Sequence, residues 1–242
     1  ASIEEQNNWA SADDRFARYI NDQHQELPEF VKAPFGSGQV KTIGHLHMDI
    51  YLDRSHNYFT DHGIEIEKAE FDHNEIDPSG EYIFCEGSGM MNNPHFNHLP
   101  MTGTHGEVMV IECEALDIDE VLNRQLFIQP LGNHRFKIGA TYNWELKEPV
   151  TTEAGRADIL ERFESFVKAK YKVIDHLAGV RPTVKDRRPL IGTHPNKPNL
   201  HLFNGLGTKG VMIAPYYADQ LLDFLANKTS LDDEVNIRRF EK

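Results

Sequence analysis

The stretch Gly205-Leu206-Gly207-Thr208-Lys209-Gly210 constrains this chain more than any other. It follows the apolar run Leu200–Asn204 and opens a run carrying Met212, Tyr216, Leu221 and Leu225, so it reads as the turn between a strand and a helix. In letters it matches the G-x-G-x-x-G dinucleotide fingerprint. Its position argues against that label. A fingerprint needs a second strand beyond its helix, with an acidic residue for the ribose. Here a helix reaching about Lys228 leaves room for a short charged tail. The physics of the loop survives the loss of the label. Small residues let backbone approach a ligand, and a helix start carries a partial charge of roughly +0.5. The competing reading needs the glycines for their dihedrals alone.

Upstream, Ser2-Ile3-Glu4-Glu5 is a capping-box pattern, and Asp13–Asn21 reads as a short helix with Phe16, Tyr19 and Ile20 on its apolar side. Gln39–Leu46 reads as a strand. A helix from Asp49 to about His62 places Leu52, His56 and Phe59 on one face, and Gly63 stops it. Ile64 and Ile66 alternate with Glu65 and Glu67 like a half-wet strand, and Glu81–Cys85 is a short apolar strand. From Gly106 the pattern is that of an antiparallel sheet: Glu107–Glu114, Gln125–Gln129 and His134–Thr141, with a compact turn at Leu131-Gly132-Asn133. Thr152 caps a helix with Ile159, Phe163, Phe166 and Val167 on one stripe, and His176–Pro182 is a strand entering a turn. Pro215 is expected in the first turns of the last helix. The mixture predicts an α+β chain of two interleaved domains.

Charge narrows the function classes. Lys+Arg number 25 against 38 Asp+Glu, a formal net charge of −13. Such a surface repels phosphodiesters and anionic lipid, which argues against nucleic-acid and membrane partners. Cys85 and Cys113 lie in apolar runs and read as buried reduced thiols, consistent with a cytoplasmic protein.

Three pieces carry a resemblance through their order and spacing: Gly179-Val180-Arg181-Pro182, Asp186-Arg187-Arg188-Pro189-Leu190-Ile191-Gly192, and Asn199–Pro215. Together they resemble the C-terminal signature of the D-amino-acid oxidase family of flavoproteins, which includes glycine oxidase and sarcosine oxidase. Weaker agreement runs upstream through Pro130, Ile138-Gly139-Ala140-Thr141 and Gly103–Val108 to Cys85–Gly89. The resemblance implies an antiparallel-sheet substrate domain (1–39 and 101–180) interleaved with the remaining part of an FAD-binding α/β domain (40–100 and 181–242). It also implies FAD as cofactor and hydride transfer from an amine or amino acid that bears a carboxylate. Nothing before Gly36 resembles the family's N-terminal strand–G-x-G-x-x-G–helix unit. The chain therefore reads as a truncated form, a proteolytic core or one half of a split protein, lacking the main FAD anchor and inactive by itself.

By position, Arg181 matches the family arginine that pairs with the substrate carboxylate, a task suited to a guanidinium fork. Lys209 matches a lysine that the sarcosine-oxidase-like branch keeps near substrate and flavin. The glycine-oxidase-like branch has arginine where Thr208 stands, which speaks against glycine-type substrates. Gly205, Leu206, Gly207, Thr208, Lys209 and Gly210 resemble the loop whose amides face the pyrimidine end of the flavin, where they stabilise the reduced ring's negative charge. Tyr142 is a candidate pocket residue. No catalytic acid or base is named, because hydride transfer to flavin requires none.

Two rival readings stand beside this one. His45-Leu46-His47-Met48-Asp49 matches the start of the H-x-H-x-D-H motif of metallo-β-lactamase-like zinc hydrolases, but Ile50 replaces the next histidine. The other rival is a non-catalytic binding or scaffold domain without FAD. His95, His98 and His105 sit among Asn and Pro and read as a solvated loop.

Overall fold

A computed structural model describes residues 4, 7, 18–21, 27, 29–34, 36–227 and 229–241. They divide into two compact units. The first comprises 1–45, 106–142 and 149–179, and the second comprises 46–105, 143–148 and 180–242.

The first unit is built on a five-stranded sheet of order β5-β6-β7-β4-β8. Its strands are β4 (Thr104–Glu112), β5 (Leu122–Asn123), β6 (Phe127–Gly132), β7 (Arg135–Gly139) and β8 (Lys172–Arg181). From Glu107 onward β4 alternates buried and half-buried residues, the period of a strand with one face on a core. The β6–β7 hairpin closes through Asn133 and His134, whose φ values of +51° and +56° are those of a type I′ turn. The turn thus lies one residue later than the sequence suggests, because Gly132 still pairs with Arg135. Helix α1 (Met48–Asp61) belongs to the second unit; α2 (Glu153–Phe166) packs on this sheet. Thr152 caps α2 by accepting the Gly155 amide at 2.9 Å, and Ile159, Phe163 and Phe166 are buried against Met109, Ile128 and Ile138. Full burial of each such side chain contributes roughly 1.5–3 kcal/mol. Strands β1 (Ile20–Asn21) and β2 (Gln39–Val40) pair antiparallel.

The second unit holds a three-stranded sheet: β3 (Tyr82–Phe84), parallel to β10 (Lys197–Asn204), which is antiparallel to β9 (Leu190–His194). After β10 come a 3₁₀ turn (Gly207–Lys209) and α3 (Gly210–Asn227). Beyond α3 the tail returns to the sheet, with Ile191 N–H donating to Val235 O at 2.9 Å and a parallel bridge from Ile191 to Asn236. It returns beside β9, on the opposite side from β3, and Leu231, Val235 and Ile237 are buried.

Several sequence expectations need correction. The Ser2–Glu5 and Asp13–Asn21 helices lie outside the described residues, apart from Glu4, which is helical, and 18–21, which form a turn entering β1. Gln39–Leu46 shortens to a two-residue strand. Ile64 and Ile66 form no strand and are exposed, since no neighbouring strand is there to take their hydrogen bonds. Helix α1 has the expected length, yet none of its residues is buried, so Leu52 and Phe59 face outward. Pro215 lies in the second turn of α3, where its missing N–H removes a helical hydrogen bond. Cys113 is buried as expected, whereas Cys85 is exposed at the end of β3. Among the described residues no helix is long and apolar enough to cross a membrane.

The solvated-loop reading holds for His98, which is exposed, but not for His95, which is half-buried, or for His105. His105 is fully buried, and His95 lies 6.0 Å from His73 and 6.4 Å from His194 between ring centroids, with His98 6.4 Å from His194. Burial, with Lys197 and neighbouring imidazoles, holds the His95 and His194 pKa values below the ordinary histidine value, against the opposing His73 carbonyl and Glu86 at His95 and Glu241 at His194. The native state therefore favours the neutral rings. Their contribution is intact above the unfolded value near 6.5 and is lost as pH falls below it, because the unfolded chain takes up the protons first. Thermal unfolding should accordingly show a lower Tm at pH 5 than at pH 7, and a His95→Gln/His194→Gln variant should flatten that dependence.

Candidate functional site

The carboxyl ends of the parallel strands β3 and β10 each run into a glycine turn. Gly87, after β3, has φ +57° and nothing within 4 Å of where a side chain would start. Gly205, after β10, has φ +72°, and an added methyl would meet Val184 Cγ2 at 2.6 Å and the Leu190 amide at 3.1 Å. Gly207 has φ +58° with its missing side chain facing open space, the nearest atom being Pro182 O at 4.0 Å. The three glycines do different things. Gly205 permits close packing inside the protein, whereas Gly87 and Gly207 leave bare backbone at the surface.

Asn204 joins the two turns. It is buried, its Nδ2 donates to Gly87 O at 3.0 Å, and its Oδ1 accepts the Gly205 amide at 2.8 Å. The crevice beyond the carboxyl ends of parallel strands is where α/β sheets receive ligands. A flat ring system could lie against backbone bared at Gly87 and Gly207, beside the start of α3, so these residues fit the ring end of a flavin.

The same place gathers most of the expected site. The Gly207 amide donates to Pro182 O at 3.1 Å, which sets Arg181 and the loop 205–210 next to each other. Arg181 ends β8 half-buried, and its Nη1 donates to His105 O at 3.4 Å. It does not pair with Asp186, whose carboxylate takes Arg239 Nε at 2.9 Å. That contact and the Arg188 amide hold the Asp186 carboxyl below its usual pKa, burial opposing them. The segment after Arg181 is stitched to the start of β4 and the residues leading into it: Thr102 N–H donates to Thr183 O at 2.9 Å, and Thr104 Oγ1 donates to Thr183 Oγ1 at 3.0 Å. Thr208 and Lys209 are exposed, and Leu206 and Gly210 are half-buried. Tyr142 follows β7 in the first unit and is 64% exposed.

Sequence reasoning missed Asn204, Gly87 and His105 as parts of this arrangement. An asparagine between a strand and a glycine turn is a usable signal, since its short amide bonds local backbone. The His105 contribution is a backbone oxygen, which no residue type announces. His45 meets the Gln129 side chain in the first unit; His47 caps α1 and Asp49 lies in its first turn, in the second. Among the described residues no group of three or more His, Cys, Asp or Glu is placed to hold a metal ion.

Comparisons with known proteins bear on the family and the fold. Glycine oxidase from Bacillus subtilis is 23% identical over 162 residues, covering 64% of this chain and 44% of its own length. The tRNA 5-methylaminomethyl-2-thiouridine biosynthesis bifunctional protein MnmC from Legionella pneumophila (strain Corby) is 22% identical over 165 residues, covering 56% of this chain and 25% of its own. The fold resembles that of glycine oxidase from Geobacillus kaustophilus, with a TM-score of 0.55 and 19% identity over 63% of this chain and 43% of that one. Iminodiacetate oxidase from Chelativorans sp. gives a TM-score of 0.56 at 19% identity, over 66% and 46%. The chain thus spans between a quarter and less than half of the relatives it matches. The family model for FAD dependent oxidoreductases (DAO) matches residues 11–223, nearly the whole sequence, and the chain belongs to that family.

Proposed function

We propose that this chain is the substrate-side part of a flavoprotein that oxidises a carboxylate-bearing amine or amino acid. The observation that carries the reading is the 3.1 Å hydrogen bond from Gly207 to Pro182 O, which sets an arginine beside a bare glycine loop at a helix start. Bound flavin supplies the hydride acceptor. Arg181 holds the substrate carboxylate with its guanidinium fork and so orients the carbon that loses hydride. Leu206, Gly207, Thr208 and Gly210 present backbone toward the ring, with Gly205 buried behind them as the turn residue, and the helix start favours negative charge there. Lys209 adds a cation on the same turn, available to substrate and cofactor alike. Tyr142 belongs to the first unit and takes no part in the carboxylate clamp.

We assign the first unit to the substrate domain and the second, which carries both Arg181 and the loop 205–210, to the cofactor side and the carboxylate clamp. The adenine end of FAD is assigned to chain outside these residues. One observation supports this: the exposed apolar surface of α1.

The test is made on the longest natural product of the gene. A flavin absorbance band that a carboxylate-bearing amine bleaches anaerobically, and its carboxamide bleaches far more slowly, is the expected result. A colourless protein that releases no FAD on denaturation overturns the oxidase reading. Equal bleaching by acid and amide overturns the role of Arg181.

A further inference from the structure

The carbonyl oxygen of His105 is shared. It accepts the Asn143 amide at 2.9 Å as well as Arg181 Nη1, and the His105 amide donates to Asn143 O at 2.9 Å. The loop that starts there is tightly held. Asn143 Oδ1 accepts the amides of Glu145 at 2.7 Å and Leu146 at 3.0 Å. The Lys147 ammonium donates to Thr102 O at 2.6 Å, Gly103 O at 3.3 Å and Trp144 O at 2.6 Å. This fixed backbone carries the indole of Trp144, which is 53% exposed and one residue from the amide that shares an acceptor with Arg181. Tryptophan is usually well buried, and its large apolar surface is costly to leave in water. A pinned loop presenting such a ring is a common device for ligand contact, because an indole on rigid backbone loses little entropy on binding.

The geometry points to Trp144 as a specificity-determining residue. It forms a wall for an apolar, preferably aromatic, substituent on the carboxylate that Arg181 holds. The inference rests on the reading of Arg181 given above. Charge decides between kinds of substituent: Glu145 and Glu148 lie on the loop that carries the ring, while the Lys147 ammonium there is turned onto backbone oxygens, so an acidic substituent is disfavoured relative to an apolar one.

In the flavin-bearing protein, phenylacetate should bind about ten-fold more tightly than acetate, the factor expected of one aromatic contact. By calorimetry, Trp144→Ala should bring the ratio of the two affinities close to one and Trp144→Phe should keep part of it, while Arg181→Gln should weaken both ligands. Equal affinity for the two probes with Trp144 present overturns the assignment of Trp144 and leaves Arg181 standing. Binding of neither probe, or binding of both that Arg181→Gln does not alter, overturns the reading of Arg181 and the inference built on it.

Discussion

Arg181→Ala in the flavin-bearing protein is expected to lower kcat/KM for a carboxylate-bearing amine roughly a hundred-fold or more, through both a higher KM and a lower kcat. Hydrogen bonds to charged groups contribute about 1.5–3 kcal/mol each, and a bidentate clamp loses two. Loss of about 3 kcal/mol corresponds to two powers of ten in rate. Part of the effect belongs to kcat because the clamp orients as well as binds. Arg181→Lys should recover a fraction, since it returns the charge without the fork. Steady-state kinetics on an amino acid and its amide, for both variants, separates the two contributions. An amino-acid kcat/KM that Arg181→Ala leaves unchanged would falsify the clamp.

The largest effect on stability is expected from Gly155→Ala. Alanine normally stabilises a helix interior relative to glycine by about 1 kcal/mol. Here the added methyl would fall inside van der Waals contact of the Glu107 carboxylate. Glu107 is buried and cannot swing aside freely: it accepts the Thr152 amide at 2.9 Å and Thr152 Oγ1 at 2.8 Å, and lies 2.8 Å from His176 Nε2. Displacing it disrupts a buried charge and its partners, a penalty of about 3–5 kcal/mol. The penalty exceeds the propensity gain, so a net loss of at least about 2 kcal/mol is expected in urea unfolding followed by circular dichroism. A variant as stable as the parent would show that the Glu107 network yields easily.

Short-range rules recovered the elements whose signals lie within a few residues. Helix α2 was readable from Thr152 and the spacing of Ile159, Phe163 and Phe166, because capping and the helical period are local. Helix α1 was readable in length for the same reason, and the β6–β7 hairpin to within one residue. Strand β9 is not announced locally: Asp186–Gly192 stands out only through the family resemblance, and the strand character of Leu190–His194 comes from pairing with β10 and from Val235 in the tail. The exposed Cys85 and the buried His105 were also misjudged, since apolar neighbours in sequence say little about which side chain a distant segment will cover.

The loop Gly205–Gly210 divides the two kinds of information most clearly. Its residue types, and its place between an apolar run and a helix-like run, show that the backbone must turn sharply between a strand and a helix. Those are properties of dihedral freedom and order along the chain. That Gly205 is glycine to admit Val184, while Gly207 bares backbone next to Arg181, depends on which atoms approach from 20 or more residues away. The Asn204 bridge to Gly87 and the shared His105 oxygen are of the same kind. Local conformational preference is written in neighbouring residues; the direction in which a glycine's empty side faces is set by long-range packing.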